Sequence, residues 1–203
     1  MSWPMHLFAI RQYQTEIEKL IHFGGSNNKT SIRNAFSKLL DYYAQARDLK
    51  LVPEISIKTK TGKIVRPDGT LKDSLRIDHG YWESKDGKDD IDEEVRKKYN
   101  KGYPFENILF EDSTTAILFQ NNKEVLRVPM SDGEGLDKLL NAFVRFEREE
   151  VKKFHKAIEC FKEDIPKVTL AIHQVIEDQK NNLEFDEALK GFYQLCQQAI
   201  NSS

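Results

Sequence analysis

The sequence predicts an α/β domain: a central sheet flanked by helices, continued by a helical C-terminal part. Two observations carry this. Between residues 55 and 128, short apolar runs alternating with polar residues are separated by turn-forming residues, the pattern of strands. On either side, apolar residues recur at steps of three and four, as in amphipathic helices. At 203 residues the chain suits one domain, or one domain with a helical appendage.

Taken in order, residues 5–22 place Leu7, Ile10, Ile17, Leu20 and Ile21 at helical spacing and stop at Gly24-Gly25. Thr30 or Ser31 caps a second helix, whose Ile32, Ala35, Phe36, Leu39, Leu40 and Tyr43 form one apolar stripe expected to pack on the sheet. After Pro53, Ile55 and Ile57 alternate with polar residues, Thr61-Gly62-Lys63 reads as a turn, and Ile64-Val65 resumes a strand into Pro67-Asp68. Asp68-Gly69 opens a loop of about ten residues before a strand at Gly80–Lys85. The acidic stretch from Asp86 to Glu94 has no calcium-loop spacing. It reads as a capped helix start, with Asp90 as cap, Glu93 three residues on, and Arg96, Lys97 and Lys98 complementing the C-terminal dipole. Further strands are expected at 107–110, 116–119 and 124–128, the last two joined by a hairpin turn at Asn121-Asn122. From Leu136 the chain is helical, with a break at Pro166 and two more helices carrying Leu170, Val175 and Ile176, then Phe185 to Ile200. Residues 1–165 are therefore expected to form one domain with N-terminal helices. Residues 166–203 form a helical extension, packed on that core or leading to a further domain.

Composition narrows the setting. Apolar residues make up 39% of the chain and charged residues 32%, enough for a core under a well-hydrated surface. A net charge of −2 provides no global attraction to nucleic acid, so any such site must be a local basic patch. Cys160 and Cys196 fit neither a disulfide framework nor a metal spacing, and read as buried reduced thiols. No apolar run is long enough to span a membrane, and the N-terminus lacks a signal-peptide pattern, so a cytoplasmic protein is expected.

The chemistry centres on residues 80–86. In a strand, Glu83 and Lys85 emerge on one face, while Trp82 and Ser84 face the other, Trp82 toward a core. Asp68, from a neighbouring strand, brings a second carboxylate. Two carboxylates can hold a divalent metal, and an adjacent lysine can orient an attacking water. That combination serves phosphodiester hydrolysis. Asp78 competes with Asp68 for this role, but five residues along a straight strand put it on the opposite face from Glu83 and about 16 Å away; a bulge at Gly80 would reverse the parity. His79 shares Glu83's parity, and Tyr81 shares that face too. The blander reading of Glu83 and Lys85 is a surface ion pair. Residues 55–76 carry Lys58, Lys60, Lys63, Arg66, Lys72 and Arg76 against Asp68 and Asp73, a local excess of positive charge suited to phosphate contact or simply to a solvated hairpin. No ATP-binding loop or methyltransferase cofactor loop occurs.

Pro67-Asp68 followed by Glu83-Ser84-Lys85 resembles the PD-(D/E)xK nuclease superfamily. The wider run from Arg66 to Asp73, Gly80 to Asp86, Asp90-Ile91-Asp92 and Gly102 to Ser113 is similar to the N-terminal nuclease region of large bacterial restriction-modification proteins. In that group one polypeptide carries the nuclease and a DNA adenine methyltransferase, sometimes with a helicase. The resemblance covers roughly residues 25–165. It implies a restriction-endonuclease-like mixed sheet and hydrolysis of DNA with magnesium, or manganese in its place. It also implies catalysis by Asp68, Glu83 and Lys85, metal ligation by Asp68, Glu83 and the Ser84 carbonyl, and methyltransferase or helicase domains in a longer parent. Many relatives carry an acid at the start of the helix before the first strand; Ser26-Asn27-Asn28-Lys29-Thr30 has none, so a third carboxylate ligand is not expected. Two other readings stay open: a catalytically silent DNA-binding module of the same fold, and an assembly domain using its helical C-terminal third. Homodimerisation is left open as well.

Overall fold

A computed structural model describes residues 5–24, 29–59, 62–85 and 90–201. Helices α1 (Met5–Gly24) and α2 (Lys29–Gln45) precede β1 (Lys50–Pro53), the small strands β2 (Ile57–Lys58) and β3 (Ile64–Val65), β4 (Gly69–Lys72) and β5 (Asp78–Ser84). Helix α3 (Ile91–Asn100) then leads to β6 (Asn107–Glu111), β7 (Thr115–Gln120), β8 (Lys123–Pro129) and α4 (Gly133–Arg145). Two long helices follow, α5 (Glu149–Asp178) and α6 (Leu183–Asn201). Lys60 falls outside the described residues.

The main sheet runs β1-β4-β5-β6-β7-β8 and is mixed: β5 and β6 are parallel, and every other neighbouring pair is antiparallel. A parallel pair needs a crossover, and α3 supplies it. β2 and β3 form a separate two-stranded hairpin. On one face, Ile10, Phe36, Leu40, Tyr43, Leu136, Leu140 and Phe143 of α1, α2 and α4 bury Leu71, Trp82, Leu109 and Leu118 of the sheet. Across the sheet, Ile91 and Val95 of α3 and Phe105 close over Ile108, Phe110 and Ile117. The amphipathic stripes of α2 and α4 cover the sheet as their spacing predicts. Asp90 caps α3 by accepting from the Asp92 and Glu93 amides. Asn121 and Asn122, at φ 50° and 62°, turn the β7–β8 hairpin in the left-handed region that asparagine tolerates.

Four local expectations are corrected. The loop expected after Asp68 is largely strand, because β4 is buried on both faces and so shows no alternation. Asp68 consequently stands at the entry to β4, not at the end of an earlier strand. Gly69 permits this packing, since a Cβ there would lie 2.7 Å from Leu51 and 2.9 Å from Trp82. Pro166 does not break its helix. It lies inside α5, where a proline forgoes one backbone hydrogen bond of the many in a 30-residue helix. The chain divides into the compact units Met1–Arg148 and Glu149–Ser203. Cys160 is exposed and Cys196 half-buried, so neither is a core thiol.

β5 is bulged. Leu71 pairs with Gly80 and Lys72 with Asp78, which leaves His79 as the extra residue. Gly80 is required at this kink: a Cβ would stand 2.6 Å from the Asn107 amide and 2.8 Å from the Phe143 ring. Buried Asn107 fastens the bulge, donating to the His79 carbonyl at 2.8 Å and the Phe143 carbonyl at 2.9 Å while accepting from Gln120 at 3.1 Å. Asn107→Leu keeps the branched shape but removes the donors to the His79 and Phe143 carbonyls and the acceptor for Gln120. It is expected to cost about 2–4 kcal/mol in urea unfolding; a loss below about 1 kcal/mol would show that the bulge is held by packing alone.

Candidate active site

Continuing the β4–β5 register by one residue from Gly69–Trp82 puts Asp68 directly opposite Glu83. Glu83 shares the face of Phe110, the side covered by α3. One Asp68 oxygen accepts the Ser84 backbone amide at 2.8 Å, which ties the aspartate to the motif strand. The other is 3.0 Å from the Arg33 guanidinium of α2. Arg33 also reaches Glu54 at 3.3 Å, and Arg66 holds the second Glu54 oxygen at 2.8 Å.

Glu83 is only 1% exposed. Its Oε2 meets the Lys85 ammonium at 2.8 Å and the Lys98 ammonium at 2.5 Å. Its Oε1 is buried with no hydrogen-bond partner among the described residues, as is Oγ1 of Thr70 on the same strand face. Lys98 comes from the buried side of α3 and also meets the Tyr103 hydroxyl at 3.0 Å, with its ammonium 4.4 Å from the ring centroid. Burial, and then Glu83, push the Tyr103 phenol up to about 12. Glu94 stands 3.9 Å from Lys85; its hydrogen bond from Lys97 holds it below the ordinary carboxylate range.

The Ser84 carbonyl has a definite position in this frame. The Ser84 amide points toward β4, and in a strand the carbonyl of the same residue points the same way. That puts the Ser84 carbonyl on the Asp68 side of β5. Orphaned Glu83 Oε1, orphaned Thr70 Oγ1, Asp68 and the Ser84 carbonyl make an all-oxygen set, the donor chemistry that suits magnesium or manganese.

The bulge revises the parity argument for Asp78. It turns Asp78 onto the Glu83 face, but at the other end of β5, where Lys72 and the Tyr81 hydroxyl engage its carboxylate. His79 pairs with Asp73 at 3.0 Å, at that same far end. The six basic residues differ in their surroundings. Lys58, Lys63 and Arg76 are exposed, Arg66 is bound to Glu54, Lys72 is bound to Asp78, and Lys60 lies outside the described residues. Arg33, Thr70, Lys98 and Tyr103 were not anticipated. For Lys98 a signal exists: it follows Ile91 and Val95 at i+7 and i+3, so a lysine occupies the apolar stripe of its helix.

No family model matches the chain, and no curated protein does. Among solved structures, a chain in a DrdV–DNA complex matches 92% of this one at 40% identity with a TM-score of 0.71. This chain is a restriction-endonuclease-like domain. It spans 18% of the length of that DrdV chain. A protein from Anabaena variabilis, provisionally described as a nuclease of DUF820, aligns over 57% of this chain at 10% identity with a TM-score of 0.39, too distant to bear on the site. The mixed central sheet, flanking helices and helical C-terminal part of the restriction-endonuclease-like domain are those expected from its sequence. Among the described residues, no helix is long and apolar enough to cross a membrane.

Proposed function

We propose that this domain is a metal-dependent DNA endonuclease of the restriction-modification type, with Asp68, Glu83 and Lys85 as its catalytic residues. The observation that carries this reading is Asp68 tied to the Ser84 amide next to Glu83, with Lys85 on the Glu83 carboxylate. The match to a chain solved with DNA supports DNA as the substrate. Magnesium or manganese fits the oxygen set, with Asp68, Glu83 and the Ser84 carbonyl as protein ligands. The bound ion would supply Lewis acidity to the scissile phosphate. Lys85 orients the attacking water and holds its charge beside the phosphate. The Ser84 amide fixes the Asp68 rotamer, and α3 excludes bulk water from the Glu83 side. Exposed Lys58, Lys63 and Arg76, with Lys60, are offered as phosphate contacts that position DNA without reading its sequence. The small share of the DrdV chain that is spanned favours a longer parent, with methyltransferase or helicase domains beside this one in the cytoplasm.

The test is plasmid cleavage by the isolated chain with magnesium or manganese, compared with Glu83→Gln. Loss of cleavage in the variant is expected. Metal-independent cleavage, or equal cleavage by both proteins, would overturn the reading. DNA binding without cleavage by the parent would favour the catalytically silent module.

A further inference from the structure

The Glu83 carboxylate is sealed by cations. Two ammonium groups share its Oε2, and with both in place it is 1% exposed. A ligand to Oε2 must displace one of the two lysines, while Oε1 carries neither. The charge count points the same way. Arg33, Lys85 and Lys98 surround Asp68 and Glu83, with Glu94 at the rim, so the site is balanced before any divalent ion enters.

The two lysines differ in what they can do next. The Lys85 backbone is locked into the sheet by the hydrogen bond its N–H donates to the Glu111 carbonyl at 2.7 Å, and the proposed reaction needs its ammonium in place. Lys98 has no part in that reaction and has a second berth at hand, the hydroxyl and ring face of Tyr103. Its position on the buried stripe of α3 also needs explanation. A lysine there costs desolvation unless a carboxylate receives it. Glu83 is that carboxylate.

We propose that Lys98 is a built-in competitor of the divalent ion: it holds Glu83 Oε2 in the metal-free protein and withdraws onto Tyr103 when the ion is held. This rests on the assignment of Asp68 and Glu83 as metal ligands. Lys98 is thus a positioning residue that sets the affinity of the site. It stabilises Glu83 in the free domain and keeps ion binding weak, so that the metal centre assembles only when the balance of charge changes.

The experiment is calorimetric titration of manganese, without DNA, into the parent chain, Lys98→Met, Lys98→Arg and Glu83→Gln, with thermal unfolding of each in metal-free buffer. Lys98→Met is expected to bind manganese at least tenfold more tightly than the parent while melting at a lower temperature without metal. Lys98→Arg, which keeps the charge, is expected to stay near the parent affinity. A residue that merely supported the fold would lower melting temperature and affinity together. Unchanged or weaker binding in Lys98→Met, with parent binding that depends on Glu83, overturns the role of Lys98 and leaves the ligand assignment standing. Absence of binding in the parent, or parent-like binding in Glu83→Gln, overturns both. If Lys98→Met does not fold, Tyr103→Phe decides: removing the receiving hydroxyl should weaken manganese binding at least threefold, and an unchanged affinity rejects the proposal.

Discussion

Replacing Lys85 with methionine is expected to lower single-turnover DNA cleavage by roughly two to four orders of magnitude, the range for loss of a positioned proton-handling group. Methionine keeps the apolar stem and removes the ammonium. Glu83 retains Lys98 on its Oε2, so the carboxylate is not left without a cation and the fold should persist. Asp68 remains tied to the Ser84 amide, and manganese binding should survive. Cleavage should therefore fall without a matching loss of metal affinity or of the circular dichroism spectrum. Equal cleavage by variant and parent would remove Lys85 from the mechanism.

Glu111 carries the second large effect, and it concerns stability. This glutamate ends β6 on the face away from Glu83 and is fully buried. Its Oε2 accepts the Ser113 amide at 3.1 Å, while Oε1 has no partner among the described residues. Burial pushes its carboxyl from 4.5 up to about 7. A carboxyl raised in the folded state binds its proton there more tightly than in the unfolded chain. Its contribution is complete below pH about 4.5 and is lost as pH rises to about 7, above which the fold bears a buried charge. Glu111→Gln keeps the shape and an acceptor for Ser113 without the charge. At pH 8 the variant is expected to be more stable than the parent by roughly 3 kcal/mol, with the difference vanishing near pH 4.5. Urea unfolding of both proteins across that range measures it. A difference independent of pH would mean that Glu111 is not the group that titrates.

The sequence made the site legible where side-chain parity on straight strands applies. Trp82 faces the core and Glu83 and Lys85 face away from it because β5 is regular beyond Gly80. Straight-strand parity failed at Asp78 because the His79 bulge shifts the register, the exception that Gly80 allowed for. The bulge is held by Asn107, 28 residues later in the chain, a long-range bond that periodicity does not encode. β4 was hidden for a related reason: Gly69, Thr70 and Leu71 are buried on both faces, which erases alternation. Lys98 was read only as a charge complementing the α3 dipole, and no sequence pattern singles out Arg33. What makes each a site residue is the crossing of its helix over the Asp68–Glu83 pair, a tertiary fact.

The central claim is that Asp68 and Glu83 together hold a divalent ion, and thermal unfolding tests it most directly. A ligand that binds only the folded state raises the melting temperature by mass action. The parent chain should therefore melt higher in millimolar magnesium or manganese than in metal-free buffer. Glu83→Gln keeps the shape of the side chain and loses the charge that the ion needs, so its shift should be absent or much smaller. An equal metal-induced shift in Glu83→Gln and the parent would place the ion elsewhere and contradict the account.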